Sequence, residues 1–290
     1  MQADQNNWSS FLYNLDKNGK IPHAILLISN YPNLLDSKIN EFLEIFEHKY
    51  EIFLYDIFDK NLSKQEFLED INKLYFSTFA DSQSKIFILK NIEKTHISLL
   101  NSLLKILEDP PKSTYFLLIA KSQNLVIPTI VSRCQVFWFT EFDRQKDLKK
   151  KLDQWKETPY NSVYAKIFSN FETAITSIAK ISENDLVKFE SLFNNLAKKK
   201  FEFLIFLNNI LTKENALILV KMLVFYSKSI FLNKPKKNSK NSKKGTFMPE
   251  NFKKITKVMQ SSHKFLTTLD QNENFNVQKS AFLVRLNIIL

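Results

Sequence analysis

The sequence predicts an α/β domain with a mostly parallel sheet, followed by segments that are helical throughout. Strand-like apolar runs alternate with helical patterns over the first 140 residues, and no such run follows Phe139. The runs are nearly continuous rather than alternating, which is typical of strands buried on both faces. The five predicted strands are 24–29, 51–57, 85–89, 115–120 and 135–139.

Helical patterns separate the predicted strands, at 37–46, 63–76, 95–108 and a short one near 124–131. The clearest is "THISLLNSLLKILEDPP", where four leucines recur at helical spacing on one face. Thr95 is expected to cap the first amides of this helix, and the pair Pro110 and Pro111 to end it. The four leucines are Leu100, Leu103, Leu104 and Leu107.

The change in pattern after Phe139 predicts three domains, with bounds 1–142, 143–200 and 201–290. The last one is interrupted by "NKPKKNSKNSKKG" at 233–245, whose charge and turn residues predict an exposed loop. Either this loop contacts DNA or an acidic partner, or it is only a solvated lysine-rich segment.

The composition is basic, with a net charge of +11 and a pI near 9.4 in 290 residues. Such charge could neutralise the phosphates of a nucleic acid. The same composition, with abundant lysine but only three arginines and two glycines, also suggests codon drift in an AT-rich genome. One cysteine, Cys134, excludes an internal disulfide and favours the cytoplasm. The polar N-terminus resembles no signal peptide, and the apolar stretch around Lys221 is too short for a membrane span, so no membrane role is expected.

A phosphate-binding loop would follow the first strand, and its residue types are missing there. Such a loop uses glycines to bring backbone amides to the phosphates, but residues 28–40 contain none, which leaves Lys38 as a surface lysine. The third strand ends in Lys90 and Asn91, where carboxylates would be needed for Mg²⁺. The chain is therefore expected to bind no cofactor and to hydrolyse no nucleotide.

No alternative catalytic set replaces these residues. The histidines, at positions 23, 48, 96 and 263, have no ligand spacing and are expected to be surface or capping residues. Cys134 precedes a buried strand, where a small apolar residue is usual, and is not expected to act as a nucleophile.

Three segments with fixed spacing carry a family resemblance: "NSLLKILEDPP" at 101–111, "TYFLL" at 114–118 and "IPTIVSRCQ" at 127–135. They resemble the delta-prime subunits of the bacterial DNA polymerase III clamp loader, which belong to the AAA+ group. The resemblance is strongest over 81–140 and extends over 20–205, and residues 272–290 look like the last helix of that family's collar domain.

The resemblance implies a RecA-like AAA+ domain without functional Walker motifs, a helical lid and a helical collar, in the order of the three predicted domains. It implies that Arg133 is an arginine finger for the ATP and Mg²⁺ of a neighbouring motor subunit, and that Ser132 positions it. Two departures exist: one cysteine cannot form the zinc module of many relatives, and Phe171, Glu172 and Thr173 stand where the lid's sensor arginine would be. The second departure fits a subunit that binds no ATP.

The implied partners are motor and delta subunits in a hetero-oligomeric ring, with primed DNA and the sliding clamp reached through the assembly. Burial of apolar faces at 217–224 and 282–290 is expected to drive that assembly. Alternatives stay open: Arg133 as an intramolecular ion pair that fixes the start of a strand, an ATP-hydrolysing motor subunit, or a stand-alone basic nucleic-acid-binding protein.

Overall fold

The computed structural model describes residues 8–46, 50–57, 69, 84–232, 249–270 and 274–290. It contains two compact units, Met1–Asp147 and Leu148–Leu290. The further division of the second unit at residue 200 stays a prediction. The predicted helix 63–76 and the lysine-rich loop 233–245 lie outside the described residues, apart from residue 69.

The first unit is built on a five-stranded parallel sheet with the order β2-β3-β4-β1-β5. This confirms the predicted α/β class, and the predicted strand bounds differ from the observed ones by at most one residue. The strands are β1 (Ala24–Ile28), β2 (Tyr50–Asp56), β3 (Ser84–Lys90), β4 (Thr114–Ala120) and β5 (Gln135–Trp138).

Helices cover both faces of this sheet, because its central strands are apolar on both sides. On one face, α1 (Trp8–Asn18) and α2 (Pro32–Phe46) pack against one set of strand side chains. On the other, α3 (Ile97–Glu108) and α4 (Pro128–Val131) pack against the second set. Every residue of β1 is buried, as its unbroken apolar run predicts.

Two details of this unit differ from the prediction. β2 lies at the edge of the sheet, and Ile52 and Leu54 are exposed, so its apolar run does not indicate burial on both faces. Thr95 does not cap α3, since its Oγ1 is buried without a hydrogen-bond partner. The carbonyl of His96 instead accepts the amides of Leu99 and Leu100 at the start of α3.

Among the described residues of the second unit, every regular element is a helix. The division between the units falls within α5 (Glu141–Trp155), and one apolar core extends through the rest of the second unit. The expectation that 217–224 offers an assembly surface is wrong, because Ile218, Leu219 and Leu223 are buried in this core. The remaining helices are α6 (Asn161–Ile167), α7 (Phe171–Ile178), α8 (Glu183–Asn194), α9 (Leu196–Ile210), α10 (Ala216–Leu232), α11 (Pro249–Asp270) and α12 (Phe275–Ile289).

Among the described residues, no helix combines the length and the apolar content that crossing a membrane requires.

Candidate functional site

Arg133 lies in the short turn that connects α4 to β5. The fixed φ of Pro128 suits the first position of α4, and the turn continues as Ser132 and Arg133 donate their amides to the carbonyls of Pro128 and Ile130. The Ser132 hydroxyl donates to the carbonyl of Thr129 at 3.1 Å. Ser132 therefore shapes the turn that carries Arg133, although no contact between the two side chains is present.

The guanidinium of Arg133 is held by two contacts within its own chain. Nη1 donates to the carbonyl oxygen of Thr129 at 2.8 Å, and Nη2 donates to Oε1 of Glu108 at 2.5 Å. A guanidinium has five N–H groups, so these two bonds leave three for another acceptor. The side chain of Arg133 is 31% exposed and that of Glu108 is 55% exposed, so the pair is open to solvent.

Glu108 is a site residue that sequence reasoning treated only as the end of a helix. It ends α3, immediately before the turn that contains Pro110 and Pro111, and lies 25 residues from Arg133 in the sequence. A separation of this length carries no helix or strand periodicity, so no local pattern predicts the contact.

Only three residues, Ser29 to Tyr31, connect β1 to α2. A Walker A loop spans eight residues and presents several free amides to the phosphates. Here the amide of Tyr31 donates to Oγ of Ser29, and Pro32 has no amide hydrogen. The loop thus lacks the length of a phosphate cradle, and the amides of Ser29 and Tyr31 are already bonded within the chain.

An ion pair between buried Arg144 and partly exposed Glu141 lies beside this short loop. Arg144 is 7% exposed and donates from Nε and Nη2 to the two carboxylate oxygens of Glu141 at 2.9 and 2.5 Å. Tyr31 hydrogen-bonds the same carboxylate and lies under the guanidinium, 5.7 Å from ring centroid to Cζ. The hydrogen bonds from Arg144, with smaller contributions from Gln145 and Tyr31, lower the pKa of Glu141 to about 2.

Lys90 and Asn91 stand at the end of β3, where metal-binding carboxylates would be, and both make hydrogen bonds within the chain. Lys90 donates from Nζ to Asp36 at 2.6 Å, and the side-chain amide of Asn91 donates to Asp56 at 2.7 Å. Asn91 has a φ of 58°, a left-handed conformation that asparagine tolerates better than most residues. Both nearby aspartates are therefore bound by this chain's own side chains.

The other sequence candidates do not form a reactive group. Lys38 binds Glu41 at 2.7 Å, as a structural helix lysine would. Burial raises the pKa of the Cys134 thiol to about 12, which leaves almost no thiolate near neutral pH. Within the described part of the chain, no three histidine, cysteine or acidic residues are grouped to hold a metal ion. His48 lies outside that part.

A second candidate feature is an apolar surface on the last helix. Phe282 and Leu286 of α12 are buried in the core, while Val277, Ala281, Val284 and Ile288 are exposed. Their spacing of four, three and four residues places the exposed side chains on one helix face. We call these four residues the α12 stripe.

Helix α9 lies antiparallel beside α12. Lys200 donates from Nζ to the carbonyl of Asn287 at 2.5 Å, and Lys279 donates to the carbonyl of Leu211 at 3.0 Å. The first half of α9 therefore lies beside the C-terminal half of α12, and it exposes Phe201 and Ile205. Exposed apolar area on two adjacent helices is typical of a protein interface.

The sheet order and the ends of β1 and β3 define the class of this protein: an α/β domain with a five-stranded parallel sheet, followed by helices, in which the residues after β1 and β3 are not the usual phosphate and magnesium residues. Within that class, residues 43–143 match the family described as DNA polymerase III, delta subunit. Over part of its length the chain is similar to delta-prime subunits of DNA polymerase III, which confirms the resemblance that its motifs predict.

The individual relatives are similar over different parts of the chain. DNA polymerase III subunit delta' of Buchnera aphidicola is 30% identical over 158 residues, which are 52% of this chain and 47% of that protein. The Bacillus subtilis delta' subunit is 26% identical over 122 residues, or 42% of this chain and 36% of that protein. Each alignment thus spans less than half of the delta-prime relative.

Two further proteins are similar over almost the full length. An uncharacterized protein of Mycoplasma pneumoniae, the MG007 homolog, is 24% identical over 284 residues, covering 91% of this chain and 97% of that one. The solved structure of the Bacillus subtilis DNA clamp loader delta protein is 11% identical, with a TM-score of 0.46 and coverage of 96% of this chain and 98% of that chain.

Proposed function

We propose that this chain is a delta-prime-like subunit of a DNA polymerase III clamp loader, which hydrolyses no ATP and supplies Arg133 to the ATP of a neighbouring motor subunit. Other loader subunits are its direct partners, and primed DNA and the sliding clamp are reached through the ring. The observation that carries the proposal is the state of the Arg133 guanidinium, which is ordered by two contacts and keeps three donors available.

Arginine suits this role better than the lysine that dominates the chain. Its charge persists at any biological pH, and its planar donors match phosphate oxygens in pairs. In other nucleotide hydrolases, arginine fingers supplied in trans accelerate the reaction by roughly 10³ to 10⁵. The short loop after β1 supports the same division of roles, because three residues are too few to form a phosphate cradle and favour use of a neighbour's nucleotide over binding one.

The α12 stripe, together with Phe201 and Ile205, supports a place in an oligomer. Apolar side chains on two adjacent helices lose contact with water when a partner covers them, and this stabilises the complex. We assign this surface to contact with other loader subunits, in place of the buried segment 217–224.

The test is to reconstitute the loader with Arg133→Ala and to measure its clamp- and DNA-stimulated ATPase activity. We expect intact assembly and a loss of turnover on the order of 10³ at the site that this chain completes. Glu108→Gln is the matched variant, since it breaks the same intramolecular ion pair but keeps the guanidinium.

The two variants separate the proposal from the alternative of a purely structural arginine. If Arg133 only pairs with Glu108, the two substitutions should have equal, small effects on turnover and on thermal stability. Unchanged turnover in Arg133→Ala would remove the arginine-finger role.

A further inference from the structure

A row of basic side chains lies beside the α12 stripe. Lys253, Lys257 and Lys264 recur on α11 at spacings of four and seven residues, which places them on one face of that helix. All three are exposed, and they extend over about 16 Å at a rise of about 1.5 Å per residue. Arg285 of α12 continues the row, because it lines the same open cavity as Lys264. We call these four residues the basic row.

Arg285 differs from the other two arginines of the chain, because it has no carboxylate partner among the described residues. Arg133 and Arg144 each pair with a glutamate of this chain. Arg285 instead donates from Nε to the carbonyl of Ala281 at 3.0 Å. This bond leaves the N–H groups of Nη1 and Nη2, whose planar fork matches the two oxygens of a carboxylate. A lysine would supply the charge at this position without the fork. The guanidinium is therefore suited to a carboxylate from outside the chain.

The lysines of the basic row also have no counter-charge within the part of the chain that the structure describes. None of the three forms an ion pair there, whereas Lys149 and Lys199 pair with acidic residues of their own helices. The cavity shared by Lys264 and Arg285 has no aspartate or glutamate among its described lining residues. Cations that line one cavity repel each other, so an acidic group supplied from outside would remove an unfavourable interaction.

The apolar side chains that adjoin the basic row restrict the class of partner. Ala281 and Val284 line the same cavity as Arg285, and both belong to the α12 stripe. A segment bound here must place apolar groups on the stripe and negative charge at its edge, which is the pattern of an amphipathic helix with an acidic flank. A phosphate backbone would meet the cations but offers no apolar group to the stripe. A second copy of this chain, with a net charge of +11, is a poor source of such an acidic flank.

We propose that an amphipathic helix of a neighbouring loader subunit binds along the α12 stripe, with acidic residues on the flank that faces the basic row. Its apolar side chains cover Val284 and Ile288, and one carboxylate accepts paired hydrogen bonds from Arg285. Further acidic residues of the same flank pair with the lysines of α11. The charges thereby fix which flank of the bound helix meets α11. This inference rests on the proposed assembly role of the stripe and adds the chemistry of the partner.

A cross-link of zero length tests directly for the partner's carboxylate. In the reconstituted loader, a carbodiimide joins a carboxylate to an amine that is in contact with it, and mass spectrometry identifies the joined peptides. We expect an amide bond between Nζ of Lys264 and an aspartate or glutamate of a neighbouring subunit. Lys264→Arg is the matched control, since it keeps the positive charge, and hence the assembly, but has no amine to be joined.

Charge reversal measures how much the basic row contributes to assembly. Lys264→Glu combined with Arg285→Glu should weaken incorporation into the loader about tenfold or more at about 0.1 M NaCl. The difference from the parent chain should shrink at about 0.5 M NaCl, because salt screens charges at the edge of an interface. Lys180→Glu combined with Lys213→Glu is the control with the same change in net charge, since both lysines are exposed and lie outside the basic row. The control should be incorporated like the parent, and the free chains of both variants should keep the parent's unfolding midpoint.

The outcomes separate this inference from the assembly role of the stripe. If Val284→Asp combined with Ile288→Asp prevents incorporation while the charge-reversed variant is incorporated like its control, the stripe joins the ring but its partner has no acidic flank, and the inference is wrong. If neither variant loses incorporation, the stripe is rejected as well. An assembled loader in which Lys264 forms no cross-link to a neighbouring subunit also contradicts the inference. Binding of a labelled thymidine oligonucleotide that charge reversal abolishes, with incorporation unchanged, would assign the basic row to nucleic acid instead.

Discussion

Arg133 and Arg144 each pair with a glutamate, but their surroundings give the two arginines different roles. Arg144 is buried and bonds both oxygens of the partly exposed Glu141, so removal of Glu141 would leave an uncompensated buried charge. The pair of Arg133 with Glu108 is open to solvent, where such pairs contribute only about 0.2–1 kcal/mol. Arg133 can therefore exchange Glu108 for a phosphate at little cost, whereas Arg144 stays fixed.

The pair of Glu141 and Arg144 predicts how stability depends on pH. The folded pKa of Glu141 is about 2, below its usual 4.5, so the folded state favours the ionised carboxylate. Its contribution is fully present above pH 4.5 and is lost as the pH falls from there toward 2. We expect Glu141→Gln to lower the unfolding temperature at pH 7 and to have little effect near pH 2.5.

Thermal unfolding followed by circular dichroism across this pH range measures the difference between Glu141→Gln and the parent chain. Glu157→Gln is the control, since Glu157 is an exposed glutamate, and its effect should be small at every pH. A destabilisation by Glu141→Gln that stays constant from pH 7 to pH 2.5 would contradict the proposed origin of its pKa.

At the scale of the elements, the sequence predicts what depends on local apolar patterns. The five strands are predictable because buried parallel strands need continuous apolar runs, and α3 is predictable from its leucine spacing. Contacts between elements are not predictable in this way. The bond between Glu108 and Arg133 depends on how α3 and the turn after α4 approach each other, and the start of α3 uses His96 where Thr95 was expected.

The α12 stripe shows the same limit, because α12 is apolar on two faces. Leu286 and Ile288 are equally apolar in the sequence, yet Leu286 is in the core and Ile288 is 79% exposed. Only the packing of α9 and α11 against α12 decides which face stays exposed. The sequence therefore predicts an assembly role for residues 282–290 without showing which of their side chains are available.

Charged substitutions in the α12 stripe are expected to reduce assembly without preventing folding of the chain. Val284→Asp combined with Ile288→Asp places two charges where a partner would remove water, so incorporation into the reconstituted loader should fall at least tenfold. The free chain should unfold within about 1 kcal/mol of the parent, because both side chains already face solvent. Size-exclusion chromatography and chemical denaturation measure the two quantities.

Val187→Asp is the matched control for this experiment. Val187 of α8 is 58% exposed and lies outside the stripe, so the same type of substitution should leave incorporation unchanged. Equal incorporation of the stripe variant and the control would show that another surface joins the ring.

At the scale of the whole molecule, internal contacts occupy the ends of the two strands, β1 and β3, that carry nucleotide chemistry in an ATPase. The loop after β1 has three residues, and the ion pair of Arg144 with Glu141 lies beside it. At the end of β3, Lys90 pairs with Asp36 of α2. Sequence reasoning finds the missing glycines and carboxylates, since those are residue types at fixed positions. It does not find Arg144 or Tyr31, because their contact with Glu141 depends on the fold.

This closure predicts that the isolated full-length chain does not bind ATP. A cradle of amides supplies most of the affinity for the phosphates, and here the amide of Tyr31 is occupied and Pro32 has none. Titration of a fluorescent ATP analogue with Mg²⁺ should give no saturable signal up to about 1 mM, equivalent to a binding free energy weaker than about −4.1 kcal/mol. The reconstituted loader, with its motor subunits, is the positive control for the same analogue. Saturable micromolar binding by the isolated chain would instead favour an ATP-hydrolysing motor subunit, and Arg133 would then have to be tested as part of a ring of equivalent ATPases.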